Sequence, residues 1–292
     1  MIPGAFTYLK PGNLDEAIGM LTEHAADGKL LAGGQSLIPI MRFRLAEPAY
    51  LIDINGIGGL DHIRENGDHL AIGALTREYQ IDRSELIKQR YPILTDTSTM
   101  IADPLVRNLA TVGGNLAHAD PANDHPATML ALRASVVARG PQGERTIPID
   151  DLFVDAFTTC LQPDEILTEI RVPQPTPNSG AAYVKFERKV GDYAIAATAA
   201  YLELGSDGTI SKAGIGLTNA SYRPLRASKA EATLTGQTPS NALFKDAAAA
   251  ASQEADPGSD LRGSSDYKRA MIRTMTFRAL KQAAERAGMN LQ

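Results

Sequence analysis

The chain has 292 residues, 43% of them hydrophobic, and a formal net charge of −5, which is enough length for two or three domains with real cores and an ordinary globular composition. The acidic balance and the lack of a long basic run argue against nucleic acid as a partner. The single cysteine, Cys160, excludes an internal disulfide and a cysteine-built iron–sulfur cluster within one chain, and it reads as a small core residue beside Leu161.

In chain order, Asn13-Leu-Asp-Glu16 predicts a capping box, with Asn13 as the cap and Glu16 reaching back. Leu14, Ala17, Ile18 and Leu21 then share one face of a helix ending near His24. Lys29–Ala32 reads as a short strand running into a double glycine, Gly33-Gly34, and Ser36–Leu45 as a helix leaving it. Tyr50–Ile54 and Leu70–Ala74 are strand-like, each closed by Gly or Asn. Arg77–Gln89 predicts one helix, broken before Pro92. A second double glycine, Gly113-Gly114, precedes Asn115. Asp124–Leu132 predicts a further helix, Ser135–Arg139 a strand, and Pro141-Gln-Gly143 a turn. Ile166–Val172 is a strand leading into Pro173-Gln-Pro-Thr-Pro-Asn-Ser-Gly180, whose prolines mark a stiff connector and the domain boundary. Beyond it, Ala181–Arg188, Ala194–Leu204 and Ile210–Leu217 read as three strands, the last two joined at Ser206-Asp-Gly208. Helices follow near Ser228–Leu234, Ala242–Ser252 and Ser264–Ala287. The last carries Met271, Met275 and Phe277, which pack either their own domain or a partner.

The two double glycines echo each other. Leu31-Ala32-Gly33-Gly34-Gln35-Ser36-Leu37 and Ala110-Thr111-Val112-Gly113-Gly114-Asn115 each place a carboxamide directly after the pair. Without Cβ atoms, backbone amides there can approach a ligand closely, and successive N–H groups make an anion-binding nest. Neither stretch carries Lys or Arg, so a diphosphate clamped from both sides would be held by backbone donors. A lone double glycine is ordinarily just a turn. Neither stretch is Gly-x-Gly-x-x-Gly or a phosphate loop ending in Gly-Lys-Ser/Thr. His118, His125, Asp120 and Asp124 lie close in sequence, but Pro121 and Pro126 make this a capped turn more readily than a metal site. No charged segment followed by an apolar core opens the chain, and no apolar run approaches the roughly 18 residues of a membrane span. The cytoplasm is the default location.

The text around these motifs resembles a known family. Leu31-Ala-Gly-Gly-Gln-Ser-Leu-Ile-Pro-Ile-Met41 is similar to the first flavin loop of the medium subunits of molybdenum hydroxylases, and Ile101-Ala-Asp-Pro-Leu-Val-Arg-Asn-Leu-Ala-Thr-Val-Gly-Gly-Asn115 to the second. The resemblance continues through Asp120-Pro-Ala-Asn-Asp-His-Pro-Ala127, Lys185-Phe-Glu-Arg-Lys-Val-Gly-Asp-Tyr-Ala194 and Ile215-Gly-Leu-Thr-Asn219, and includes the opening Met-Ile-Pro-Gly-Ala-Phe. It covers almost the whole chain in order and is strongest toward the carbon monoxide dehydrogenase branch. One position departs: that branch has His where this chain has Gln35. Related oxidases that attach flavin covalently use a His at a comparable place, so Gln35 implies a non-covalent flavin.

The resemblance implies an α+β fold: a two-subdomain, PCMH-type FAD-binding domain over 1–175, then a three-stranded antiparallel sheet with a helical bundle over 176–292. It implies FAD with its diphosphate between residues 31–37 and 110–115 and with Asp124 on the adenosine ribose. Leu167, Lys185 and Tyr193 would lie at the flavin ring. For Asp124, Lys185 and Tyr193 the alternatives are a helix N-terminal carboxylate, a solvated lysine on an edge strand and a seam-packing aromatic. The partners implied are a large subunit with a molybdenum cofactor and a small subunit with two 2Fe–2S clusters, in a dimer of heterotrimers. No general base, nucleophile or metal triad emerges from the residues. A stand-alone flavin oxidase and a scaffold subunit that no longer holds flavin are the rival readings.

Overall fold

The computed structural model describes residues 2–289 and 291. Its first layer is a parallel sheet of β1 (Thr7–Leu9), β2 (Gly28–Leu31) and β3 (Tyr50–Asp53), in the order β1-β3-β2. Helix α1 (Leu14–Glu23) joins β1 to β2 and buries Ala17, Ile18 and Leu21 against Ile52 and Ile54. Asn13 Oδ1 accepts from the Glu16 N–H at 2.9 Å. Glu16 accepts from the Gly12 N–H at 2.7 Å, one residue earlier than a strict capping box has it. Helix α2 (Leu37–Arg42) is shorter than expected, because the chain turns through a left-handed Arg44.

The second layer is an antiparallel sheet of β4 (Ile63–Asn66), β5 (His69–Gly73), β6 (Ser135–Gly140), β7 (Gly143–Pro148) and β10 (Ile166–Pro173), in the order β4-β5-β10-β6-β7. A small hairpin of β8 (Phe153–Asp155) and β9 (Thr158–Thr159) flanks it. The helix expected over Arg77–Gln89 is two helices, α3 (Glu78–Arg83) and α4 (Glu85–Arg90). Ser84 breaks it: its backbone is extended and its hydroxyl accepts from the Ile87 N–H, which starts a new helix. Then come α5 (Pro92–Thr99), α6 (Pro104–Arg107), α7 (Val112–His118), α8 (Asp124–Ala131) and α9 (Ile149–Leu152).

The third layer has β11 (Ser179–Glu187), β12 (Ala194–Leu204) and β13 (Ile210–Thr218), the three antiparallel strands expected, with a two-residue β14 (Leu225–Arg226) added at the edge. Helices α10 (Ser228–Leu234), α11 (Asn241–Glu254) and α12 (Ser265–Arg286) complete it. Strand β12 is buried on both faces, since α12 and α8 both pack against it. Its alanines make that sandwich thin. So do Gly214 and Gly216 on β13, where any Cβ would overlap the Ala131 and Ala127 carbonyls of α8. Met271 and Phe277, partly buried, pack against the core of this layer, and Met275 is buried, so they pack their own domain. In this way α8 ties the third layer to the second, and Asp124 at its start lies beside the third-layer sheet.

Candidate functional site

Strand β2 ends at Leu31, and the chain then runs through the first double glycine into α2. Gly34 has a φ of 71°, which only glycine adopts without strain. Among the described residues, no acceptor takes the N–H of Gly33, Gly34, Gln35, Ser36 or Leu37. Ser36 sits at the cap of α2 without a side-chain cap bond. Gln35 folds its amide onto the Gly33 carbonyl at 3.3 Å. Five successive free donors around a left-handed glycine form a nest for an anion.

The second double glycine is built differently, which corrects the expectation of a matching amide nest. It is the first turn of α7. Val112 donates to Thr76 O and Gly113 to Ala74 O, both at 3.0 Å; Asn115 donates to Thr111 O at 2.9 Å. Gly114 donates to its cap, Thr111 Oγ1, at 3.1 Å. All four amides are therefore spent within the protein. The glycines here serve close packing. A Cβ on Gly113 would stand 2.5 Å from that of Ala74, and one on Gly114 2.6 Å from Thr111 Oγ1. A Cβ on Gly33 would overlap Leu109 O, so the two segments abut directly. The second segment offers the Asn115 carboxamide instead, whose Oδ1 is buried with no partner. A buried orphan acceptor costs stability unless a ligand or water satisfies it.

Both segments line one cavity of about 530 Å³. Ala32–Leu37, Ala110, Thr111, Gly113, Gly114, Asn115, Asp124, Leu167, Lys185 and Tyr193 all reach it. Leu31 and Val112 do not; Val112 is fully buried beneath α7. Leu167 sits at a bulge in β10, where the register against β6 shifts before Glu169, and such a bulge re-aims a side chain next to a site.

At the closed end, Lys185 is 1% exposed and is no solvated edge lysine. Its Nζ lies 3.2 Å from Asp124 Oδ2, 3.4 Å from Glu187 Oε2 and 2.9 Å from the Met100 carbonyl. The Tyr183 hydroxyl donates to Asp124 Oδ1 at 2.5 Å. Burial pushes the Asp124 carboxyl above the usual range, opposed by Lys185 and Tyr183. Burial and the facing Asp124 push the Tyr183 phenol well up. His125 turns away and meets Glu78 at 2.8 Å in a fully buried pair. Among the described residues, no three His, Cys, Asp or Glu side chains converge as a metal site.

At the rim, Tyr193 is 45% exposed, and the Arg262 guanidinium stands 5.5 Å from its ring centre. Arg262 also pairs with Asp192 at 2.8 Å. His118 and Phe157, 5.2 Å apart between ring centres, were not singled out as site residues from sequence. Phe157 is in a left-handed turn and reaches the site only through the fold. Burial lowers the His118 pKa. No carboxylate among the described residues orients the His118 ring by a hydrogen bond, as a general base would need. A larger cavity of about 940 Å³ lies along the proline-rich connector. Its charges are matched within the protein, with Arg286 on Asp96 and Arg133 on Glu231, and neither double glycine reaches it.

Comparisons with known proteins identify the family. A family model described as the FAD binding domain in molybdopterin dehydrogenase matches residues 4–175. One described as the CO dehydrogenase flavoprotein C-terminal domain matches residues 181–283. The carbon monoxide dehydrogenase medium chain of Hydrogenophaga pseudoflava is 43% identical, covering 97% of this chain and 98% of its own. The 6-hydroxypseudooxynicotine dehydrogenase complex subunit alpha of Paenarthrobacter nicotinovorans is 41% identical, covering 98% and 97%. A solved carbon monoxide dehydrogenase structure from Hydrogenophaga pseudoflava superimposes with a TM-score of 0.95 at 45% identity, covering 98% of this chain and 99% of that one. The quinoline 2-oxidoreductase structure from Pseudomonas putida 86 gives 0.92 at 30% identity, covering 98% and 99%. With its α+β fold and its two matched domains in the same order, this chain belongs to the FAD-binding medium subunits of the molybdenum hydroxylases.

Proposed function

We propose that this chain holds one FAD non-covalently in the 530 Å³ cavity and passes electrons from iron–sulfur clusters of a small subunit to an external acceptor. The observation that carries this is the run of free amides at residues 33–37, facing the same cavity as the unpartnered Asn115 carboxamide. The diphosphate would lie on those amides, with Ala110, Thr111, Gly113, Gly114 and Asn115 closing the other side. Leu31 and Val112 would support the two segments from behind. Asp124 stands 3.2 Å from Lys185, so in place of the expected adenosine ribose it would face a ribityl hydroxyl at the ring end, with its carboxylate held by Tyr183 and Lys185. Leu167, Lys185 and Tyr193 would meet the ring, where a buried cation favours added electrons. Gln35 supports a flavin held by hydrogen bonds alone. Bound FAD exchanges electrons singly or in pairs, which is the chemistry such a relay needs.

The division of labour follows. Residues 1–175 would form the FAD-binding unit and 176–292 the C-terminal unit. Substrate would be oxidised at the molybdenum cofactor of a large subunit, within a dimer of heterotrimers in the cytoplasm. No helix among the described residues is long and apolar enough to cross a membrane. The named relatives belong to dehydrogenases of carbon monoxide, 6-hydroxypseudooxynicotine, glyceraldehyde and caffeine. That breadth fits a chain that relays electrons and leaves the choice of substrate to its partner. Expressed with its neighbouring subunits, the chain should copurify with molybdenum, iron and flavin, and substrate should bleach the flavin only with all three subunits present. If the chain alone, free of iron and molybdenum, turned over an organic substrate with an electron acceptor, a stand-alone oxidase would replace this reading.

A further inference from the structure

Neither glycine segment carries a cation, yet a half-buried guanidinium lies between them. Arg77 precedes α3, and its backbone pairs with Thr111 of the second segment in an isolated antiparallel bridge. One arm of its guanidinium donates to the Leu109 carbonyl, at the start of that segment. The other donates to Asn55 Oδ1 at 2.5 Å. Asn55 then reaches the first segment, where its Nδ2 donates to Ala32 O at 2.8 Å and to Leu31 O at 3.3 Å. Leu109 O is also the atom that Gly33 abuts. One continuous path, Leu109–Arg77–Asn55–Ala32, therefore fixes the separation of the two segments.

The charge of Arg77 is as informative as its position. Both of its side-chain partners are neutral acceptors. Burial lowers its pKa, and the carboxylates that act on it, Asp53 and Asp61, do so only through space. Asp53 is itself engaged by Tyr8 and Asn55. Arg90 stands on Glu65 and Arg139 on Asp15, whereas Arg77, like Arg107, donates only to neutral oxygens. A partly desolvated cation without a counter-ion is costly, and it becomes favourable only if an anion shares its low-dielectric surroundings.

We infer that Arg77 and Asn55 are positioning residues for the diphosphate, which set the gap between the two glycine segments and place an unpaired positive charge behind them. This rests on the FAD reading above and names the source of positive potential that neither segment supplies.

The test uses the assembled complex stripped of flavin, with ADP and adenosine as competitors of FAD re-uptake. Wild-type complex that takes up neither FAD nor ADP would overturn the FAD reading itself, whatever Arg77 does. Given wild-type uptake, Arg77→Gln should weaken ADP and FAD by about tenfold or more and flatten the salt dependence of ADP binding, with adenosine changed by less than about twofold. Arg77→Lys should restore the salt dependence, because it keeps the charge and loses the fork. Asn55→Asp would give Arg77 a counter-ion and remove the Nδ2 donor to Ala32 O, so it acts on both charge and spacing and should weaken ADP at least as much as Arg77→Gln does. If Arg77→Gln fails to fold, Asn55→Asp decides. Unchanged ADP affinity and salt slope in a folded variant, or an equal loss for ADP and adenosine, would overturn the inference.

Discussion

Replacing Lys185 with Met should destabilise the chain in a pH-dependent way. The substitution nearly preserves volume and removes a cation that is 1% exposed. It leaves two carboxylates behind: Asp124, buried, and Glu187, 3.4 Å from where the ammonium stood. Removing one partner of a buried pair costs about 3–5 kcal/mol. The Tyr183 hydroxyl still holds Asp124, which places the expectation near the lower end. A buried carboxyl can also escape by taking a proton. Burial already raises Asp124 in the wild type, and Lys185 is the first force opposing it, so its loss raises Asp124 further. A carboxyl raised in the folded state contributes stability that is fully present below its unfolded pKa and is lost as pH rises through its folded pKa. Across that window each pH unit removes about 1.4 kcal/mol per proton. The gap between variant and wild type should thus be smallest on the acid side and widen as pH rises, up to ~3 kcal/mol once Asp124 is ionised in the variant. Urea denaturation at several pH values, followed by circular dichroism, measures it. A gap that stays constant with pH would refute the argument that Asp124 is the group left uncompensated.

Two further outcomes follow from the geometry of the cavity. Acid precipitation of the complex should release all flavin into the supernatant, because Gln35 stands where covalent relatives use His; flavin left on the protein would contradict the non-covalent site. Gly33→Ala forces the first segment off Leu109 O and should cut flavin content by more than about tenfold, whereas Gly58→Ala, with open space around the new Cβ, should leave stability within about 0.5 kcal/mol of wild type. Equal flavin content in the two would sink the claim that close contact of the segments makes the site.

Eight of the fourteen strands and the longer helices were legible because their signals are local, while β1, β4, β7, β8, β9 and the short helices α5, α6, α7 and α9 were not read. Apolar faces at helical spacing located α1 and α8, and the three long strands of the last layer were bounded to within a residue or two. Ser84 was missed because its effect is competitive: its hydroxyl starts α4 only by ending α3, and nothing in the apolar pattern marks that exchange. Strand β14 has two residues and no periodicity to show. At the site, the glycine pairs were visible but their difference was not. Whether an amide is free or spent depends on the cap Thr111 and on Ala74 and Thr76, which the fold alone brings to α7. Phe157, Asn55 and Arg77 were invisible as site residues for the same reason, and His118 was weighed only as a metal ligand. Each is an unremarkable polar or aromatic residue until the tertiary structure gives it a neighbour.

The asymmetry between the two glycine segments also bears on how the subunit works. The amides of residues 112–115 are spent on Ala74 and Thr76, just past β5, and on their own cap, Thr111. The first leaves five donors to solvent and keeps its position through Asn55 and through contact with Leu109. A wall satisfied internally and a nest satisfied only by an anion make a site that is formed in advance on one side and completed by the diphosphate on the other. A relay gains from that arrangement. Electron transfer needs the redox group held at fixed distance and orientation, and it needs no proton-moving side chain. The described residues bear on the first through the hydrogen-bonded wall, the buried Lys185–Asp124 pair and Tyr193, whose ring centre lies 5.5 Å from the Arg262 guanidinium.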